Sequence, residues 1–128
     1  MGQSWVSQPR GKTVLVVDDE PVIRMLVAET LEEQGYDIIE AEDAAAAALI
    51  LNSPARVDLL VTDITLPGQS GRELAGAAKR LRPELKILFM TGYAHYIEAN
   101  GKDLGTEIIT KPFSLDGLAK KIHGMMAG

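Results

Sequence analysis

Five side chains able to bind a ligand or take part in catalysis stand at the ends of predicted strands. Asp18 and Asp19 follow the first strand, Asp63 ends the third, Thr91 follows the fourth and Lys111 follows the fifth. The carboxyl ends of parallel strands meet at one edge of a sheet, and ligands bind outside that edge in open α/β sheets. We therefore expect these side chains to lie together in one site.

These residue types indicate metal-dependent phosphoryl chemistry. Three carboxylates a few ångström apart cannot all stay ionised without nearby positive charge, and Lys111 supplies only one. Mg²⁺ would complete the site best, because it is typically held by carboxylates, waters and a phosphoryl oxygen; Mn²⁺ could substitute. Thr91 and Lys111 are the hydroxyl and the cation that a phosphoryl group needs. An aspartate can itself accept that group as a nucleophile.

Each residue also has a purely structural explanation. Asp18 or Asp19 could cap the helix that Pro21 opens, and Asp63 could begin a turn. The threonine could be an ordinary strand-end residue, and the lysine a solvated charge. None of these explanations accounts for all of them falling on one edge of the sheet.

The elements that must position these residues alternate along the chain. Strands are predicted at 13–17, 36–40, 56–63, 85–90 and 106–110. Helices are predicted from 21 to about 34, over the alanine-rich run 44–51, around 74–81 and from 114 to 125. Residues 93–105 are the least clear, because two glycines weaken a helix there. The alternation predicts a single α/β domain with a doubly wound, five-stranded parallel sheet and helices on both faces.

The helix that begins at Pro21 has apolar residues at three-to-four spacing, so one stripe of it is predicted to be apolar. The residues of this stripe are Val22, Ile23, Leu26, Val27, Thr30 and Leu31.

Composition excludes several classes of protein. The chain has 128 residues, 46% of them hydrophobic, with a net charge of -5 and no cysteine. The acidic balance argues against direct nucleic-acid binding, no apolar run approaches the roughly 20 residues that span a bilayer, and disulfides are impossible. We expect a cytoplasmic protein in which residues 1–11 are a flexible N-terminal segment or a cloning remnant and residues 12–128 form the domain.

Four stretches resemble the receiver domains of two-component response regulators. They are VLVVDDEP (14–21), DLLVTDITLPGQSG (58–71), ILFMTGYA (87–94) and IITKPFSLDGL (108–118). The likeness runs from about Lys12 to the C-terminus. It implies a flavodoxin-like fold with strand order 2-1-3-4-5.

The resemblance also implies roles for the strand-end residues. Asp63 would be the phosphoacceptor. Asp19 and Asp63 would bind Mg²⁺ directly, together with the backbone carbonyl of Thr65, and Asp18 would hold it largely through water.

Three further positions have implied roles in the phosphorylated state. Lys111 would contact the phosphoryl group, supported by a cis bond to Pro112. Thr91 would be the switch hydroxyl that moves toward a phosphoryl oxygen. Ile108 stands where many receivers carry a Tyr or Phe that moves with this threonine, so the sequence puts aromatic-coupled switching in doubt.

The function implied is that of a phosphoacceptor in a phosphorelay. A histidine kinase or a phosphotransfer domain would be the donor, and the downstream protein partner is unknown. The domain would catalyse transfer to its own aspartate and the hydrolysis that follows, without being an enzyme in the usual sense. We expect a monomer or weak dimer that binds neither nucleic acid nor membrane, either stand-alone or belonging to a hybrid kinase.

Two alternatives stay open at this point. One is a receiver fold that serves as an unphosphorylated interaction module. The other is a phosphatase with an aspartate nucleophile, similar to the haloacid dehalogenases. That family expects a second acid two residues after the nucleophile, where this chain has Thr65.

Overall fold

A computed structural model describes residues 12–66, 68–91 and 106–127. Its strands form one parallel sheet in the order 2-1-3-4-5. The strands are β1 (Thr13–Val17), β2 (Asp37–Ala41), β3 (Leu59–Asp63), β4 (Lys86–Thr91) and β5 (Thr106–Thr110). The helices within these ranges are α1 (Pro21–Glu33), α2 (Ala44–Leu51), α3 (Gly71–Leu81) and α4 (Leu115–Met126). The predicted fold class and strand order are confirmed.

The sheet divides the apolar residues into two cores, because successive strand residues point to opposite faces. Leu15 and Val17 pack on one face with residues from α2 and α3. Val14 and Val16 pack on the other face with residues from α1 and α4. All of β1 is buried, so this strand runs through the interior and emerges at the acidic residues.

The strand register brings the carboxyl ends of the strands level with one another. Val17 at the end of β1 is paired with Thr62, one residue before Asp63. Thr91 at the end of β4 is paired with Thr110, one residue before Lys111. The predicted site residues therefore emerge at one edge, which confirms the expectation from the alternating pattern.

Side-chain caps begin three of the helices, but not α1. Asp43, Ser70 and Ser114 cap α2, α3 and α4, and Ser70 forms a reciprocal capping box with Glu73. The N-cap of α1 is Glu20, whose side chain makes no capping bond. The alternative that Asp18 or Asp19 caps this helix is therefore wrong: Glu20 occupies the N-cap position, and Oδ1 of Asp18 accepts from the N–H of Glu20 rather than from an N–H of the first helical turn.

Several element boundaries differ from the predictions. β2 lies one residue later than predicted, β3 begins at Leu59 rather than at 56, and β4 is shifted to Lys86–Thr91. The stripe on α1 is only partly buried, since Val22 is 63% exposed and Leu26 is 38% exposed. The segments 1–11 and 93–105 lie outside the described residues. Within the described ranges, no helix has the length and apolar character that a membrane crossing requires.

Candidate functional site

Three carboxylates converge at the carboxyl edge of the sheet. One oxygen from each of Asp18, Asp19 and Asp63 lies within 4.8 Å of the others. Asp18 is fully buried, Asp19 is exposed and Asp63 is intermediate. The cluster thus runs from the interior of the domain to its surface, as a site that exchanges a ligand with solvent requires.

Asp18 is held in place by hydrogen bonds to three neighbouring segments. Its backbone N–H donates to the carbonyl of Ala41 (3.2 Å), and its Oδ1 accepts from the backbone N–H of Glu20 (2.9 Å). Its own carbonyl accepts from Nη1 of Arg24 at 2.6 Å. Among the described residues, its Oδ2 is buried without a hydrogen-bond partner. A buried carboxylate oxygen without a donor carries a desolvation cost that a cation would remove.

The electrostatics of Asp18 reflect this burial. Desolvation raises the pKa of the Asp18 carboxyl above its ordinary value, and the nearby charge of Asp63 acts in the same direction. The N–H of Glu20 and the charge of Lys111 oppose the rise without cancelling it. Nζ of Lys111 is 4.0 Å from Oδ2 of Asp18, which is too far for a hydrogen bond.

Lys111 pairs directly with Asp63. Its Nζ donates to Oδ2 of Asp63 at 2.6 Å, with side chains 28% and 16% exposed. Burial alone would lower the pKa of the Lys111 ammonium, but the hydrogen bond to Asp63 and the charges of Asp63 and Asp18 outweigh it and raise that pKa. The ammonium therefore carries its charge at neutral pH and occupies part of the space beside Asp63.

Backbone contacts join the remaining predicted site residues to this pair. The N–H of Lys111 donates to the carbonyl of Thr91 at 2.8 Å, and Thr91 is buried at the end of β4. The N–H of the exposed Thr65 donates to Oδ1 of Asp63 at 3.3 Å. The Lys111–Pro112 peptide bond is cis.

Gly71 allows α3 to begin against the backbone of Asp63. A Cβ at this position would lie 2.0 Å from the carbonyl oxygen of Asp63. The N–H of Gly71 also donates to the carbonyl of Ile64 at 2.6 Å. Only glycine fits such an approach, so α3 and the loop after β3 are fixed relative to the central carboxylate.

The donor set fits a hard divalent cation. It contains only oxygen, comes from carboxylates whose oxygens lie within 4.8 Å of one another, and includes the buried Oδ2 of Asp18 without a hydrogen bond. Oxygen-only donors in this arrangement are those that Mg²⁺ prefers.

Sequence reasoning missed Arg24 and Glu40. Nε of Arg24 lies 3.1 Å from Oε1 of Glu40, and the same guanidinium reaches the carbonyl of Asp18. Glu40 lies near the end of β2, a strand whose end carried little signal in the sequence. The one available signal was an arginine in the first turn of the helix, shortly after a run of three acids at 18–20.

A family model described as the response regulator receiver domain matches residues 14–123. The chain is 38% identical over 125 residues to the phosphate regulon transcriptional regulatory protein PhoB of Pseudomonas aeruginosa, covering 91% of this chain and 52% of that protein. It is 32% identical over 117 residues to the response regulator receiver protein CpdR of Brucella abortus, covering 90% of this chain and 97% of that protein. The chain therefore spans about half the length of PhoB and nearly all of CpdR.

Among solved structures, the fold is similar to the response regulator protein TrrA of Thermotoga maritima in complex with Mg²⁺ and BeF. The TM-score is 0.79 at 38% sequence identity, covering 89% of this chain and 98% of that one.

Proposed function

The chain belongs to the response regulator receiver domain family, and from this membership we propose that Asp63 accepts a phosphoryl group from a phosphohistidine. Receiver domains are phosphoacceptors in two-component systems. The observation that carries the proposal is the contact of 2.6 Å between Nζ of Lys111 and Oδ2 of Asp63, next to two further carboxylates. A histidine kinase or a phosphotransfer domain would supply the phosphohistidine.

We further propose that Asp18, Asp19, Asp63 and the backbone carbonyl of Thr65 hold Mg²⁺. The close approach of the three carboxylates and the buried Oδ2 of Asp18 support this assignment. The similar TrrA is described in complex with Mg²⁺ and BeF. When bound, the ion neutralises negative charge on the phosphoryl oxygens.

The residues of the chain then have distinct roles in the transfer. A carboxylate oxygen of Asp63 forms a bond to phosphorus while the bond from phosphorus to the imidazole nitrogen breaks, and the electron pair stays on that nitrogen. Lys111 transfers its hydrogen bond from Asp63 to a phosphoryl oxygen. Hydrolysis of the acyl phosphate by water restores the carboxylate, so the chemistry modifies the domain itself and releases phosphate.

Thr91 is proposed as the hydroxyl that responds to the new phosphoryl group. It lies on the strand next to β3, and its carbonyl is hydrogen-bonded to the backbone of Lys111. A shift of Thr91 toward the phosphoryl group would therefore be coupled to β5 and the start of α4. This is the surface that we propose a partner protein distinguishes.

The test is phosphorylation by a small donor. Wild-type protein, Asp63→Asn and a control, Asp37→Asn, are incubated with Mg²⁺ and acetyl phosphate, and the intact mass is measured. Asp37 is exposed at the opposite end of the sheet. We expect one base-labile phosphoryl adduct in the wild type and in Asp37→Asn, and none in Asp63→Asn.

Two other outcomes would replace the proposal. A wild-type protein that neither binds Mg²⁺ nor forms the adduct would indicate an unphosphorylated interaction module. Continued turnover of varied phosphate esters would indicate an enzyme with an aspartate nucleophile.

A further inference from the structure

Arg24, on α1, links this helix to Asp18 at the end of β1 and to Glu40 on β2. Its Nη1 donates to the carbonyl oxygen of Asp18 at 2.6 Å, and its Nε donates to Oε1 of Glu40 at 3.1 Å. The side chain is only 18% exposed, whereas that of Glu40 is 46% exposed. A planar guanidinium suits this arrangement, because its donors are fixed relative to one another.

The bond from Arg24 completes the restraint of Asp18. The N–H of Asp18 donates to the carbonyl of Ala41, and its Oδ1 accepts from the N–H of Glu20. Its carbonyl accepts from Nη1 of Arg24. Within the described part of the chain, Oδ2 is the oxygen of this residue left without a hydrogen bond, and it is the oxygen 4.0 Å from Nζ of Lys111. The backbone bonds at Asp18 therefore set the direction in which its carboxylate faces the cluster.

We propose that Arg24 is a positioning residue for the cation site, acting through the main chain of Asp18. The inference rests on the proposed function, since it presupposes that the cluster binds a divalent cation. Arg24 does not touch the cation or the phosphoryl group. It ties the end of β1 to α1 and to the end of β2, so that the buried carboxylate is already oriented when the ion arrives.

Removal of Arg24 should change the Mg²⁺ affinity in opposite directions, depending on whether the residue positions Asp18 or acts only through its charge. Arg24 is a positive charge beside a site for a cation, so its removal would strengthen Mg²⁺ binding if charge alone mattered. Glu40 carries the opposite charge, so its neutralisation would weaken binding on the same grounds. Loss of a group that orients a metal ligand instead weakens metal affinity, typically by about 10–100-fold.

The experiment is calorimetric titration of Mg²⁺ into the full chain and its variants at constant ionic strength. The variants are Arg24→Ala, Arg24→Lys, Glu40→Gln and the control Arg56→Ala. Arg56 also pairs with an acid, Asp58 at 2.9 Å, but it lies before the start of β3 at the opposite end of the sheet. Urea unfolding without Mg²⁺ is measured in parallel, together with hydrogen exchange of the Glu20 amide.

We expect Arg24→Ala to bind Mg²⁺ roughly tenfold more weakly than the wild type or worse. Arg24→Lys keeps the charge but cannot reproduce both fixed donors, so its Mg²⁺ affinity should lie between those of the wild type and Arg24→Ala. Glu40→Gln keeps an acceptor for Nε and should stay close to the wild type, as should Arg56→Ala. The Glu20 amide, which donates to Oδ1 of Asp18, should exchange faster in Arg24→Ala and not in Arg56→Ala.

Equal or tighter Mg²⁺ binding by Arg24→Ala would overturn the positioning role. If that variant does not fold, Arg24→Lys decides, and wild-type affinity in it would equally overturn the role. A wild-type protein that binds no Mg²⁺ would instead contradict the proposed function itself.

Discussion

Nζ of Lys111 lies 2.6 Å from Oδ2 of Asp63, although the strands that deliver these residues are separated by β4. The contact spans the end of the intervening strand, where Thr91 is buried. Asp63 thus has a neutralising partner before any phosphoryl group arrives. Under the proposed function, phosphorylation of Asp63 would redirect that partner, so Lys111 would serve both as a counterion and as a sensor of the modification.

Substitution of Lys111 by alanine should tighten Mg²⁺ binding while slowing phosphorylation. The ammonium lies 2.6 Å from Asp63 and 4.0 Å from Asp18, so its removal takes away a competing positive charge. The gain should be on the order of tenfold, since the site is partly solvated and screening reduces the Coulomb energy. Calorimetry of Lys111→Ala and of Lys120→Ala, an exposed lysine on α4, measures this. Weaker binding in Lys111→Ala would contradict this interpretation.

Substitution of Gly71 by alanine should destabilise the domain strongly. The new Cβ would lie 2.0 Å from the carbonyl oxygen of Asp63, and this backbone atom cannot move aside as a flexible side chain could. We expect a loss of about 3 kcal/mol or more in the free energy of unfolding. Gly124→Ala is the matched control: it lies within α4 with nothing within 4 Å of the added Cβ, and it should gain up to about 1 kcal/mol. Urea denaturation compares the two, and similar values would show that the close approach does not constrain the fold.

Substitution of Ser70 by alanine should weaken the start of α3. Its side chain accepts from the N–H of Glu73 at 3.1 Å, while Glu73 bonds back to the N–H of Ser70 at 3.3 Å. The loss in the free energy of unfolding should be about 1 kcal/mol for Ser70→Ala and only a few tenths of a kcal/mol for Ser70→Gly. Thermal or urea unfolding of both variants checks the order. Equal stability of Ser70→Ala and the wild type would mean that the capping bond contributes nothing measurable.

Tyr36 should make stability fall at alkaline pH. Burial raises the pKa of its phenol above 10.0, so the unfolded chain loses this proton first as the pH rises. The stabilising contribution is therefore complete below the unfolded pKa and is lost as the pH rises through the folded pKa. The difference in urea midpoint between wild type and Tyr36→Phe should change in favour of the variant above about pH 10. If the difference in urea midpoint is the same below and above about pH 10, the role of this phenol is contradicted.

The sequence alone determined the fold class and the edge at which the site lies. β1, β5 and α2 have the predicted bounds, because each is followed by a clear boundary residue, namely Asp18, Lys111 and Asn52. The parallel alternation was enough to place Asp18, Asp19, Asp63, Thr91 and Lys111 at one edge of the sheet. Strand ends are local features, and the topology of a doubly wound sheet converts them into spatial neighbours.

Only the tertiary structure decided how wide each apolar surface is and how the site is held. Periodicity marks the stripe on α1, but the sheet and α4 cover only part of it, so Val22 and Leu26 stay exposed. Arg24 and Glu40 are separated by 16 positions and meet because α1 packs beside the end of β2. Contacts between side chains of different elements depend on the angles and offsets of packing, and spacing along a single chain does not contain that information.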